Sequence, residues 1–131
     1  MNQVRIIPLP DGLKTDGRGW VLFPFQNIPG PVPQANLWTL HVVRSEPGSI
    51  RGNHYHPAST EWLHIFGGRA TFHWEEDGGV RSRVIDRDDV LIHIPSGVSH
   101  AVTNDSDRPV YLWAVREPSD QPDESRPRPI V

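Results

Sequence analysis

Residues 48–68 read GSIRGNHYHPASTEWLHIFGG, and residues 89–104 read DVLIHIPSGVSHAVTN. His54, His56 and Glu61 fall within eight residues of the first stretch, and His100 follows Pro95-Ser96-Gly97 in the second. Imidazole and carboxylate are both good ligands for a divalent transition metal. If residues 50–56 are extended, Ile50, Gly52, His54 and His56 share one face, and Arg51, Asn53 and Tyr55 the other. The two histidines are then about 6–7 Å apart at the backbone, which suits two adjacent positions on one ion. Glu61 opens the next strand after a break over 57–60, and His100 comes from another strand beyond a turn. The expectation is one metal site, His54, His56, Glu61 and His100, inside a β-barrel. Three imidazoles and a carboxylate suit Fe, Mn, Ni, Zn or Cu without choosing among them. On an octahedral ion they leave two positions for water, O₂ or a chelating substrate.

Working outward, the same kind of short run recurs. Val, Ile, Phe, Tyr and Trp cluster between Gly, Pro, Asn and Asp turns, and apolar residues do not recur at helical spacing over ten or more residues. The fourteen Pro and eleven Gly argue further against long helices. Strands are predicted over 4–9, 20–23, 37–43, 50–56, 61–66, 69–75, 80–85, 90–94, 99–104 and 110–115. A Pro-rich loop is predicted over 26–36, and Asp77-Gly78 marks a hairpin turn. In 61–66, Glu61, Leu63 and Ile65 share one face, which turns Trp62, His64 and Phe66 to the other; His64 is accordingly expected at a surface or interface. About ten short strands joined by short turns favour antiparallel neighbours and a closed barrel or double-sheet jelly roll.

Composition limits the function. The length of 131 residues fits one domain, expected over 1–116, with the motif core at 48–104. Residues 117–131 carry four Pro and several charges, and read as a tail without a core of its own, with disorder favoured over an ordered strap on a partner subunit. No cysteine is present, which excludes disulfides, thiolate metal sites and a cysteine nucleophile. The net charge is −3, and no basic run points to nucleic acid. No apolar run approaches a membrane span, and the N-terminal residues lack the apolar core of a signal peptide, so the expected location is the cytoplasm.

The two stretches together resemble the motifs of a small single-domain cupin. Gly48, His54, His56, Glu61 and Gly68 fall at the spacings of the first cupin motif, and Pro95, Gly97, His100 and Asn104 at those of the second. Asp89 stands where the second motif has a leading Gly, a turn position that Asp tolerates. The resemblance implies an all-β cupin barrel (double-stranded β-helix, or jelly roll), the same four residues as metal ligands, and a homodimer. Asn104, Gln26 and the remaining histidines are expected partners for the ligands' free N–H groups.

A second similarity lies at Asp16-Gly17-Arg18-Gly19 and Arg51-Gly52-Asn53-His54-Tyr55. These look similar to segments of cupin-type nucleotide-sugar epimerases and ketoisomerases, in which an Arg binds the nucleotide phosphates and a His acts as base beside a ketone. That similarity implies Arg51, Tyr55 and Arg18 as substrate-binding residues. Those enzymes generally work without metal, whereas this chain keeps Glu61 and His100. The expected function is therefore a divalent-metal-binding cupin acting as an isomerase, epimerase or lyase on a small oxygenated, sugar-like substrate. An iron dioxygenase and a non-catalytic ligand-binding barrel are the alternatives. No catalytic base is singled out among His41, His64, His73 and His93.

Overall fold

The computed structural model describes residues 3–30 and 33–131. Met1 and Asn2, and Pro31 and Val32 of the loop expected over 26–36, lie outside the described residues. In chain order the strands are β1 (Arg5–Pro8), β2 (Lys14–Asp16), β3 (Gly19–Val21), β4 (Asn36–Ser45), β5 (Ile50–Tyr55) and β6 (Glu61–Phe66), followed by β7 (Ala70–Glu76), β8 (Gly79–Ile85), β9 (Val90–Ile94), β10 (His100–Thr103), β11 (Val110–Arg116) and β12 (Arg126–Pro127). No helix is long and apolar enough to cross a membrane among the described residues.

Two five-stranded antiparallel sheets form the body, with orders β1-β9-β6-β11-β4 and β12-β5-β10-β7-β8. The architecture is the all-β jelly roll that the strand pattern predicts. Alternation decides which side chains meet between the sheets. Leu63, Ile65, Ile92, Ile94, Leu112 and Ala114 from the first sheet pack with Ala70, Phe72, Trp74, Ile85 and Val102 from the second. Burying each large apolar side chain contributes roughly 1.5–3 kcal/mol relative to leaving it exposed.

The outer face of the first sheet is covered as well. Leu22, Phe25 and Ile28, from the segment after the β2–β3 hairpin, pack on a second cluster of Ile7, Leu9, Trp62, Leu91 and Val115. This changes the expected place of His64. It points away from Glu61 but is only 2% exposed. Its Nδ1 accepts from the Trp113 indole N–H at 2.9 Å, and its Nε2 donates to the Asp88 carbonyl. Alternation predicts the side of the sheet, but not that the N-terminal segment folds over it.

The largest departure is at the C-terminus. Residues 117–131 do not hang free. β12 pairs antiparallel with β5, Arg126 opposite Tyr55 and Pro127 opposite His54, and the Arg128 N–H donates to the Asn53 carbonyl at 2.8 Å. The segment lies on its own barrel. Composition favoured disorder because it measures burial of apolar side chains, whereas this segment is held mainly through hydrogen bonds and ion pairs.

Candidate metal centre

The site starts from strand register. His100 of β10 lies directly opposite His54 of β5. His56 follows just beyond the end of β5, and its carbonyl accepts the Gly97 N–H at 2.8 Å. That bond ties the Pro95-Ser96-Gly97 turn to the His-x-His segment, so the two motifs meet in space. Glu61 opens β6 in the facing sheet, opposite Ile94 and Arg116. The ligand atoms of His54, His56 and His100 lie within 4.8 Å of one another. Glu61 Oε2 is 3.3 Å from His56 Nε2, and Glu61 Oε1 is 3.2 Å from His100 Nε2.

Backbone carbonyls set the orientation of two rings. His56 Nδ1 donates to the Glu124 carbonyl at 3.1 Å, and His100 Nδ1 donates to the Val98 carbonyl at 3.0 Å. A carbonyl only accepts, so in each neutral ring Nδ1 carries the hydrogen and Nε2 the lone pair. Those lone pairs face a carboxylate at little more than 3 Å. His56, Glu61 and His100 are 5, 4 and 4% exposed, and His56 Nε2 has no hydrogen-bond partner. Electron-rich atoms converging in a buried space call for a positive charge among them. The donor set fits a divalent transition metal held by nitrogen and oxygen.

The electrostatics agree. Burial pushes the Glu61 carboxyl up, while hydrogen bonds donated by protonated His100 and His56 would pull it well below the usual carboxylate range; a cation beside the Nε2 lone pairs acts in the same direction. Burial, then the neighbouring His100 and His56, push His54 down to about 4. At neutral pH the site therefore presents an ionised carboxylate and a neutral His54, the forms a metal needs.

The ligand set opens onto a cavity of about 240 Å³ whose wall includes His41, Arg51, Leu63, Leu112 and Arg116. Arg51 stands on the ligand side, not on the face predicted by simple alternation. β5 and β10 slip register between His100 and Ala101, with Gly52 at φ +90° and Asn53 at φ +56°. This bulge places one extra residue on β5 and turns Arg51 onto the His54 face. Among the described residues no carboxylate pairs with Arg51. Tyr55 faces Arg126 across the β5–β12 pairing and is not among the residues lining the cavity. Arg18 sits in the β2–β3 hairpin, 91% exposed and ion-paired to Asp16 at 2.6 Å, and does not line the cavity either.

Two residues at the site carried no distinctive sequence signal. His41 Nδ1 donates to the Thr39 carbonyl at 2.8 Å, which leaves Nε2 as the basic nitrogen of a ring lining the cavity. Arg116 reaches Glu61 Oε2 at 3.3 Å. His73 instead bonds Ser82 and Thr103, and His93 lies beside Arg5 and Trp62. The expected partners of the ligands also change. Asn104 bonds the Ser45 and Arg108 carbonyls and caps the turn after β10. Gln26 donates its backbone N–H to the Phe23 carbonyl, and carbonyls hold the rings of His56 and His100.

A double-sheet jelly roll with histidines and a glutamate gathered at one end of its interior defines a class of small β-barrel proteins. The cupin domain family model matches residues 41–116, more than half of the chain, and the chain belongs to that family. Germin-like protein subfamily 3 member 2 from Arabidopsis thaliana is 31% identical over 105 residues, 73% of this chain; the match spans only 44% of that protein's length. Among solved structures, a dTDP sugar isomerase from Desulfovibrio desulfuricans superposes with a TM-score of 0.79 at 15% identity, over 97% of this chain and 84% of that one. A 3,4-ketoisomerase from Helicobacter canadensis gives 0.71 at 17% identity, over 96% and 91%. A 3,4-ketoisomerase mutant from Thermoanaerobacterium thermosaccharolyticum, solved with TDP-4-keto-6-deoxyglucose, gives 0.69 at 13% identity, over 94% and 86%. At these identities the structural likeness speaks for the fold.

Proposed function

We propose that this cupin binds one divalent transition metal through His54, His56, Glu61 and His100 and isomerises a small oxygenated, sugar-like substrate. The observation that carries the reading is the buried convergence of Nε2 lone pairs on an ionised Glu61. A bound ion would supply Lewis-acid polarisation of a carbonyl. Arg51, on the same wall and without a carboxylate partner among the described residues, would hold an anionic or strongly polar substituent. His41, with its basic Nε2, is the candidate for moving a proton. The chemistry that fits is a proton removed from the hydroxyl-bearing carbon beside a ketone and returned to the former carbonyl carbon, with the hydroxyl proton passing to the former carbonyl oxygen and no net oxidation. The sugar-isomerase names among the structural neighbours favour this substrate class. Unlike the metal-independent enzymes it resembles at Arg51–Tyr55, this chain keeps both Glu61 and His100.

The protein is further proposed to act as a cytoplasmic homodimer. β4 is an edge strand of its sheet, and its outer face exposes Trp38 at 98% and Val42 at 71%. Apolar side chains on an unpaired strand edge are suited to meet a second copy.

Elemental analysis of purified protein tests the metal assignment. Wild type is expected to hold about one metal per chain and the His54→Ala/His100→Ala variant none; equal metal content in both removes the assignment. Deuterium exchange from solvent into a 4-keto sugar nucleotide, under anaerobic conditions with added metals, tests the reaction. Metal-dependent O₂ uptake with an enediol, without exchange, would mark a dioxygenase instead. Tight binding of one ligand without turnover would mark a ligand-binding barrel.

A further inference from the structure

The C-terminal segment touches the candidate metal centre at two points, one on His56 of the proposed ligand set and one on Arg116, which in turn contacts Glu61. The Glu124 carbonyl accepts the His56 Nδ1 hydrogen at 3.1 Å. Asp123 grips Arg116 with both oxygens, at 2.8 Å to Nε and 3.0 Å to the terminal nitrogen, and the other terminal nitrogen of Arg116 is 3.3 Å from Glu61 Oε2. The segment is anchored along its length. The Glu117 N–H donates to the Thr60 carbonyl at 2.9 Å, and Ser99 Oγ donates to the Arg128 carbonyl at 2.7 Å. Arg128 pairs with Glu75 at 2.9 Å, and Asn53 Oδ1 accepts the Ile130 N–H at 3.0 Å. Without β12, β5 would be a sheet edge, and the strand that carries His54 and leads into His56 would have one side unpaired.

We propose that residues 119–131 are a built part of the metal centre, with Glu124 and Asp123 as positioning residues. This rests on the metal reading above. Glu124 acts through its main chain: its carbonyl keeps the hydrogen on Nδ1 of His56 and leaves Nε2 facing the other donors. An outer partner of this kind fixes both tautomer and ring orientation. Asp123 acts through charge. Arg116 is a full positive charge beside Glu61, and it opposes any cation held there. The Asp123 fork neutralises it and also holds its third contact on Glu61 in place. The segment therefore completes a site whose ligands all lie elsewhere in the barrel.

The test uses the full chain, a chain ending at Pro118, and Asp123→Asn. Long-range ¹H–¹⁵N spectra of the metal-free proteins at pH 8 read the histidine tautomers and the Arg116 Nε–H, and calorimetry reads Co²⁺ affinity. In the full chain, His56 and His100 are both expected as Nδ1–H. In the shortened chain His56 is expected to shift toward Nε2–H, while His100 keeps its form because Val98 lies within the barrel. Co²⁺ affinity is expected to fall about 10–100-fold there, and roughly tenfold in Asp123→Asn, where the Arg116 Nε–H resonance also moves. Asp123→Asn decides the matter if the shortened chain does not fold. A folded shortened chain with an unchanged His56 tautomer overturns the proposal. So does Asp123→Asn with both the Arg116 resonance and Co²⁺ affinity of wild type. A full chain that takes up no Co²⁺ removes the metal reading alone; the His56 and Arg116 resonances then decide the role of the segment.

Discussion

Gly52 is the residue on which the site geometry turns. Its φ is +90°, and a Cβ added there would lie 2.8 Å from the His100 carbonyl oxygen. Nothing larger fits without moving the backbone of the strand that carries His100. Gly52→Ala is expected to cost about 1–3 kcal/mol of stability, read by urea denaturation, from the unfavourable backbone region and the displaced contact. It should also lower metal content, because His54 and His100 face each other across this register slip. A second prediction concerns His64, pushed down by burial against the opposing pull of the Asp88 carbonyl. Its folded pKa lies below its unfolded value of about 6.5. The stability it contributes is fully present above that pH and is lost as pH falls below it, because the unfolded chain takes up the proton first. His64→Gln offers similar hydrogen-bonding groups to Trp113 and Asp88 without titrating. Its unfolding free energy between pH 7 and 5 is expected to fall less than that of the wild type, and an identical slope would show that His64 does not contribute.

At the scale of elements, β4 is an edge of its sheet, and β5 would be an edge of the other sheet without β12. β5 is covered by β12, and β4 is bare among the described residues. If β4 joins a second copy, Val42→Lys should convert the dimer to monomer, as measured by light scattering after gel filtration. Val42 points outward and is 71% exposed, so the fold and the cavity should be unaffected, with the unfolding free energy within about 0.5 kcal/mol of wild type once the oligomeric state is accounted for. A wild-type protein that is already monomeric at micromolar concentration removes the proposed interface.

At the scale of the whole molecule, the candidate metal centre joins the two sheets. His54, His56 and His100 come from the sheet containing β5 and β10 or from its margin, and Glu61 comes from the sheet containing β6. A ligand bound only by the native arrangement stabilises that arrangement by mass action. Metal at a hundred times its dissociation constant should add about 2.7 kcal/mol. For a chain of this size that corresponds to a rise of roughly 10 °C in Tm. Chelation should reverse it, and Glu61→Gln should reduce the metal-induced shift.

The sequence by itself determined the jelly roll and the set of donors that meet. Strand alternation and turn residues are local, and the spacing of His54, His56, Glu61 and His100 around those turns leaves few ways to bury them apart. Other features needed the tertiary structure. Arg51 faces the ligands because a bulge at Gly52 and Asn53 shifts the register, and a one-residue slip turns a side chain to the other face. His64 is interior because a distant segment covers its sheet. Arg18, assigned to substrate binding only by resemblance, lies on the β2–β3 hairpin and does not line the cavity. The C-terminal residues looked like a solvated tail because they have few apolar side chains, yet backbone pairing with β5 and ion pairs to Arg116 and Glu75 hold them. Contacts of that kind depend on which strand is left with a free edge, and the assembled barrel decides that.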